Sequence, residues 1–121
     1  MELTQIVQPG RQLIERYGAS GFRVSGTIYL GPVLVFPDQT LPWADAAISV
    51  EGLAPVAARG GVELLLVGLG RQMRPVAPAL RAAMRACGIA LEAMDTGAAC
   101  RTYNVLLAED RRVAAALLLP V

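Results

Sequence analysis

The stretch "VELLLVG" (residues 62–68) decides the architecture of this chain. Five of its seven residues are apolar, four of them contiguous (Leu64 to Val67), it is bounded by glycines, and it is too short for a helix. That is the pattern of a strand covered on both faces, as in a parallel sheet. Working outward, "RPVAPALRAAMRACG" (residues 74–88) reads as a helix: Val76, Leu80, Ala83, Met84 and Cys87 recur at helical spacing, Pro75 suits its first turn, and Gly88 ends it. "IALEAM" (residues 89–94) is a second strand, residues 96–109 a second long helix, and "RVAAALLL" (residues 112–119) a final strand. Strand and helix in alternation imply right-handed crossovers and largely parallel pairing. Upstream, "LAPVAARG" is a short helix closed by Gly60-Gly61.

Before Leu53 the character changes. "GFRVSGTIYLGPVLVFP" is punctuated by Gly21, Gly26, Gly31-Pro32 and Pro37, with Phe22 and Val24 and then Ile28 and Leu30 alternating with polar neighbours. It reads as a β-meander, its "VLVF" segment (residues 33–36) buried on both faces and Pro42-Trp43 in the loop that follows. The expected fold is a single α/β domain over residues 1–121. A mixed central sheet carries the C-terminal β-α-β-α-β unit, and the N-terminal meander forms an extra β layer. No repeat, linker or low-complexity segment interrupts it.

Composition narrows the chemistry. With 11 basic and 10 acidic residues the net charge is +1, which gives no general pull toward nucleic acid or anionic lipid. The hydrophobic fraction of 55% raises the question of a membrane span, but no apolar run approaches the ~20 residues one needs. The first ten residues show no targeting signal, and two cysteines without one suggest reduced thiols in a cytoplasmic protein. There is no histidine and every basic residue is arginine. Ser-His-Asp and Cys-His pairs, a Schiff-base lysine and a Walker lysine are thereby excluded, and Cys87 and Cys100 alone cannot complete a zinc shell. No cofactor and no metal are expected.

Polar side chains gather in "MDTGAACRTYNVLL" (residues 94–107). At ~100° per residue, Ala99, Cys100, Tyr103, Leu106 and Leu107 share the arc that faces the sheet, Asn104 sits at its border, and Arg101, Val105 and Glu109 point away. Asp95 or Thr96 stands where an N-cap belongs. Cys100 reads as a buried small hydrophobe, Cys87 as another apolar helix position, and Tyr103 as a ring turned inward with its hydroxyl at a polar edge. In open α/β sheets ligands bind beyond the carboxyl ends of parallel strands. Two such ends occur, Gly68-Leu69-Gly70 and Asp95-Thr96-Gly97. A crevice between them would be bordered by Gly68, Gly70, Arg71, Asp95, Thr96 and Arg101 and would suit a carboxylate or phosphate. The plain alternative is a tight turn that needs glycine, since GLGRQM lacks the third glycine of a dinucleotide loop. Arg71 and Arg74 stay open as anion contacts. Arg81 and Arg85, spaced i, i+4, read as a solvated face, and Arg101 has an acid such as Asp95 as an alternative partner.

"GFRVSGTIYLGPVLVFP", Trp43, "ELLLVGLG" and "MDTGAACRTYNVLLAEDRRVAAALLLP" together resemble a domain-of-unknown-function family that includes mitochondrial complex I assembly factor 3, an adipogenesis-associated protein and uncharacterised bacterial and archaeal members. The resemblance implies one compact α/β domain with no assigned catalytic mechanism. It also implies an interaction or assembly role with a protein partner, as in the mitochondrial members that act in assembling respiratory complex I. Two positions depart from the family pattern: Leu69 replaces a usual Thr or Ser, and Asp110 a usual Gly. Two function classes follow. One is a non-catalytic assembly protein, with self-association left open; the other is a binder of small anions, or an enzyme, that uses the strand-end crevice.

Overall fold

The computed structural model describes residues 9–121; residues 1–8, within the stretch read above for a targeting signal, lie outside the described part. Three short strands come first: β1 (Ile14–Gly18), β2 (Gly21–Val24) and β3 (Thr27–Tyr29). Then follow β4 (Val33–Val35), β5 (Thr40–Pro42) and α1 (Ala54–Arg59). The alternating unit is β6 (Leu64–Gly68), α2 (Pro78–Ala86), β7 (Ala90–Met94), α3 (Thr96–Ala108) and β8 (Val113–Leu117). β1, β2 and β3 form a three-stranded antiparallel sheet, and the remaining strands form a mixed sheet in the order β5-β4-β8-β6-β7. β6 runs parallel to both β7 and β8, with Leu66 opposite Glu92 on one side and Ala115 on the other. The expected α/β domain with its C-terminal β-α-β-α-β unit and separate β layer is present.

Period-two alternation divides the core. Leu65 and Val67 of β6 and Ala114 and Ala116 of β8 join Leu34, Phe36, Trp43, Val56, Leu80 and Met84 on the face covered by α1 and α2. Leu66, Val113, Ala115 and Leu117 join Ile14, Phe22, Val24, Tyr103 and Leu107 on the face covered by α3 and the three-stranded sheet. The continuous apolar runs are thus the mark of a sheet sandwiched between two layers.

Three details correct the sequence reading. The meander stops at β3 and gains β1 in front of it, whereas β4 crosses into the central sheet to pair with β8, Leu34 lying opposite Ala116. Pro42 is part of β5 and not of a loop; β5 is an edge strand, where a residue without an N–H does no harm. Helix α2 starts at Pro78, four residues later than the periodicity predicts, because Ala77 is held extended (ψ 130°) by the proline that follows.

α3 holds β1 through side chains. The Ile14 N–H donates to Asn104 Oδ1 at 3.0 Å, and Asn104 Nδ2 donates back to the Ile14 carbonyl at 2.8 Å, both buried. The carboxamide has the same donor–acceptor pair as a peptide group, so it closes the ladder as a neighbouring strand would. The Tyr103 hydroxyl adds a bond to the Gln12 carbonyl at 2.9 Å. At its far end α3 closes with the Arg111 N–H bonded to the Leu106 carbonyl and the Asp110 N–H to that of Leu107, a Schellman motif. This motif places Asp110 at φ 62°, a left-handed conformation that favours glycine.

Replacing Asn104 by Ala strands two buried backbone groups. Urea unfolding of Asn104→Ala should show a loss of about 2–4 kcal/mol. A loss below about 0.5 kcal/mol, the level of an ordinary surface change, would refute the tether.

Candidate functional site

The carboxyl ends of β6, β7 and β8 meet at one corner, and Thr96 is its centre. Thr96 opens α3, one residue beyond the end of β7, with no exposed surface. Its hydroxyl accepts from the Gly70 N–H at 2.8 Å and donates to the Leu118 carbonyl at 2.7 Å. Its own N–H donates to the Gly70 carbonyl at 2.8 Å. One side chain therefore joins the loop after β6, the start of α3 and the segment after β8. Gly68 allows this contact, since a Cβ there would come within 3.0 Å of the Thr96 hydroxyl oxygen and Cα. Asp95 is the N-cap: its Oδ1 accepts the Ala98 N–H at 2.9 Å.

Arg101 turns away from this corner. Its Nη1 donates to the Tyr17 hydroxyl at 2.7 Å, and Tyr17 lies over Gly97, where any Cβ would meet the phenol oxygen at 2.9 Å. Gly68, Gly70 and Thr96 are thus in mutual contact, Asp95 is bonded to the first turn of α3, and Arg101 leans on β1. Arg71 lies in a groove it shares with Arg74, Leu69, Leu118 and Leu119. Tyr17 and Leu118 gave no local signal, because they reach the corner only through the pairing of distant strands. Arg81, expected on a solvated face, is half-buried and donates to the Leu91 carbonyl.

The two thiols differ. Cys100 is fully buried under α3, and burial pushes its pKa up to about 12, far from a nucleophilic thiolate. Cys87, expected at a buried helix position, is instead exposed, because α2 ends at Ala86 and leaves Cys87 as its C-cap. Among the described residues no group of three or more His, Cys, Asp or Glu is placed to hold a metal ion. Nor is any helix long and apolar enough to cross a membrane.

The fold and this corner define a class: a small α/β scaffold whose polar residues at the strand ends bond to one another. The chain belongs to the family described as "Protein of unknown function (DUF498/DUF598)", which it matches over residues 14–118. It is 39% identical over 106 residues to an uncharacterized protein of Rhodobacter capsulatus, covering 87% of this chain and 82% of that one. It is 36% identical to NADH dehydrogenase [ubiquinone] 1 alpha subcomplex assembly factor 3 of Xenopus tropicalis, covering 88% of this chain but 61% of the longer relative. The crystal structure of an outer membrane protein from Bartonella henselae superposes with a TM-score of 0.81 at 35% identity, covering 92% of this chain and 97% of that one.

Thr96→Val leaves the Gly70 N–H and the Leu118 carbonyl without a partner and should cost about 2–4 kcal/mol, whereas Asp95→Ala should cost about 1 kcal/mol, as caps do. Thermal melts that rank Thr96→Val no lower than Asp95→Ala would contradict the bridging role.

In the native protein, Ellman's reagent should titrate Cys87 quickly and Cys100 only on unfolding. Above pH 9 the unfolded Cys100 releases a proton that the folded thiol keeps up to about 12, so the unfolded state binds fewer protons. Burial raises the Tyr103 phenol in the same direction. Stability should therefore fall between pH 9 and pH 12, a window set by these shifts, and urea midpoints that stay level across it would contradict the burial argument.

Proposed function

We propose that this chain is an assembly or interaction protein that acts by binding a partner protein and performs no reaction itself. The observation that carries the reading is the use of its candidate chemical groups. Asp95 caps a helix, Thr96 bridges three segments, Arg101 holds Tyr17, and Cys100 is a buried neutral thiol. Groups committed in this way stiffen a scaffold and are poor general acids, bases or nucleophiles. The relatives named as complex I assembly factors support the class, and they suggest as partner a subunit of a respiratory or other membrane complex.

The surface best suited to such a contact is the outer strand of the three-stranded sheet. Among the described residues β3 pairs only with β2, and Ile28 on it and Leu30 just beyond it stand 68% and 79% exposed. An open edge with apolar side chains offers both main-chain pairing and burial to an incoming segment.

Cross-linked affinity capture from the native cell tests the reading. Subunits of a respiratory or membrane complex should co-purify with the parent chain and be lost with Ile28→Asp/Leu30→Asp. A parent chain that purifies alone would overturn it.

A further inference from the structure

A second region adjoins the Thr96 corner through Gly70 and Leu118. An open groove of about 710 Å³ lies at the carboxyl ends of β6 and β8. Its volume falls in the range of small-molecule sites, and its position is where open α/β sheets bind ligands. Leu69, Leu118, Leu119 and Ala46 give it an apolar lining, and Arg71 and Arg74 add two positive charges. No acidic side chain lines it, and none occurs between Gly68 and Cys87; the carboxylate of Val121 is the negative group at its rim, and the two guanidinium groups outnumber it.

Among the described residues, ion pairs and side-chain bonds engage Arg11, Arg16, Arg23, Arg59, Arg81, Arg101 and Arg112, while Arg71 and Arg74, like Arg85 and Arg111, have no partner; of these four only Arg71 and Arg74 line the groove. Arg71 and Arg74 are both exposed and stand on one loop at the mouth of the groove, so two guanidinium groups offer planar donors suited to an oxyanion. Beyond Arg74 the groove continues into an adjoining depression of about 330 Å³ where Ile48 and Val76 extend the apolar wall.

We propose that this groove is a binding site for an amphiphilic organic anion. Its carboxylate or phosphate head sits between Arg71 and Arg74, and its hydrocarbon body lies along Leu69, Leu118 and Ile48. Charge alone would bind inorganic phosphate equally well, and the apolar wall alone would bind a neutral alcohol. The combination selects a molecule that carries both parts. The site is independent of the β3 edge, so its failure and the failure of the assembly reading are separate results.

Amide shifts of the whole chain, recorded during titration with sodium octanoate, octyl phosphate, inorganic phosphate and 1-octanol, test the proposal. Octanoate or octyl phosphate should saturate with Kd at or below about 1 mM, with shifts grouped at residues 69–76 and 118–119; which of the two binds more tightly identifies the head. Inorganic phosphate and octanol should each bind at least about tenfold more weakly, and Arg71→Ala/Arg74→Ala should lower affinity for the preferred probe by about tenfold or more, the worth of one charge-assisted pair. The double variant should melt with the parent, because neither side chain holds the fold. No saturable shift with either amphiphile, equal binding of octanol or of inorganic phosphate, or unchanged affinity in the double variant would overturn the proposal.

Discussion

The structure depends on the insertion of β8 between β4 and β6. All five of its residues, Val113 to Leu117, are at most 1% exposed, and it is the strand through which the N-terminal and C-terminal halves of the sheet join. Its middle is three alanines in a row, which keeps the centre of the sheet thin. The bulk comes from the neighbours: Phe36 and Trp43 on the side of Ala114 and Ala116, Tyr103 on the side of Ala115. Close-packed interiors leave little room for adjustment, so this distribution of large and small side chains sets how near the two covering layers approach.

The corner at the carboxyl ends inherits its geometry from that insertion. Only because β8 lies beside β6 does the Leu118 carbonyl come within reach of Thr96, and only because Gly68 has no side chain does the hydroxyl come close. The result separates two kinds of polar group. Those at the start of α3 are paired within the fold, while the Arg71 and Arg74 side chains on the loop have no partner among the described residues. Strand ends of parallel sheets gather donors in any case. Here the loop, and not the helix start, keeps them free.

Much of this was legible in the sequence. β6, α3 and β8 follow from apolar runs and helical spacing, and the inward positions of Cys100 and Tyr103 follow from the helical arc. The Asp95 cap could be read from its place between a strand and a helix. What could not be read was long-range partnership. "VLVF" announces a strand covered on both faces, but nothing in four residues says that its neighbour lies some eighty positions on, and local spacing points only to the strands nearest in sequence. Cys87 was misplaced because apolar spacing continues through it, while the helix that would bury it has already ended. In "RPVAP" either proline suits a first turn; the second one decides, because it denies helical geometry to the residue before it. Tyr17 and Leu118 could enter the site only after the sheet order was known.

The position of β8 also has a consequence for how the protein is made. A ribosome delivers the domain in order, at about 5–20 residues per second, and β8 is the last of its strands to emerge. Until then β4 and β5 lack the neighbour that connects them to β6 and β7, and the apolar faces of both halves have no complete layer to cover them. The sheet cannot close progressively as the chain lengthens; it closes once, when its middle strand arrives. Closure of the sheet therefore waits for its last strand, and a nascent chain stalled before residue 113 presents two unfinished sheet edges to whatever is nearby.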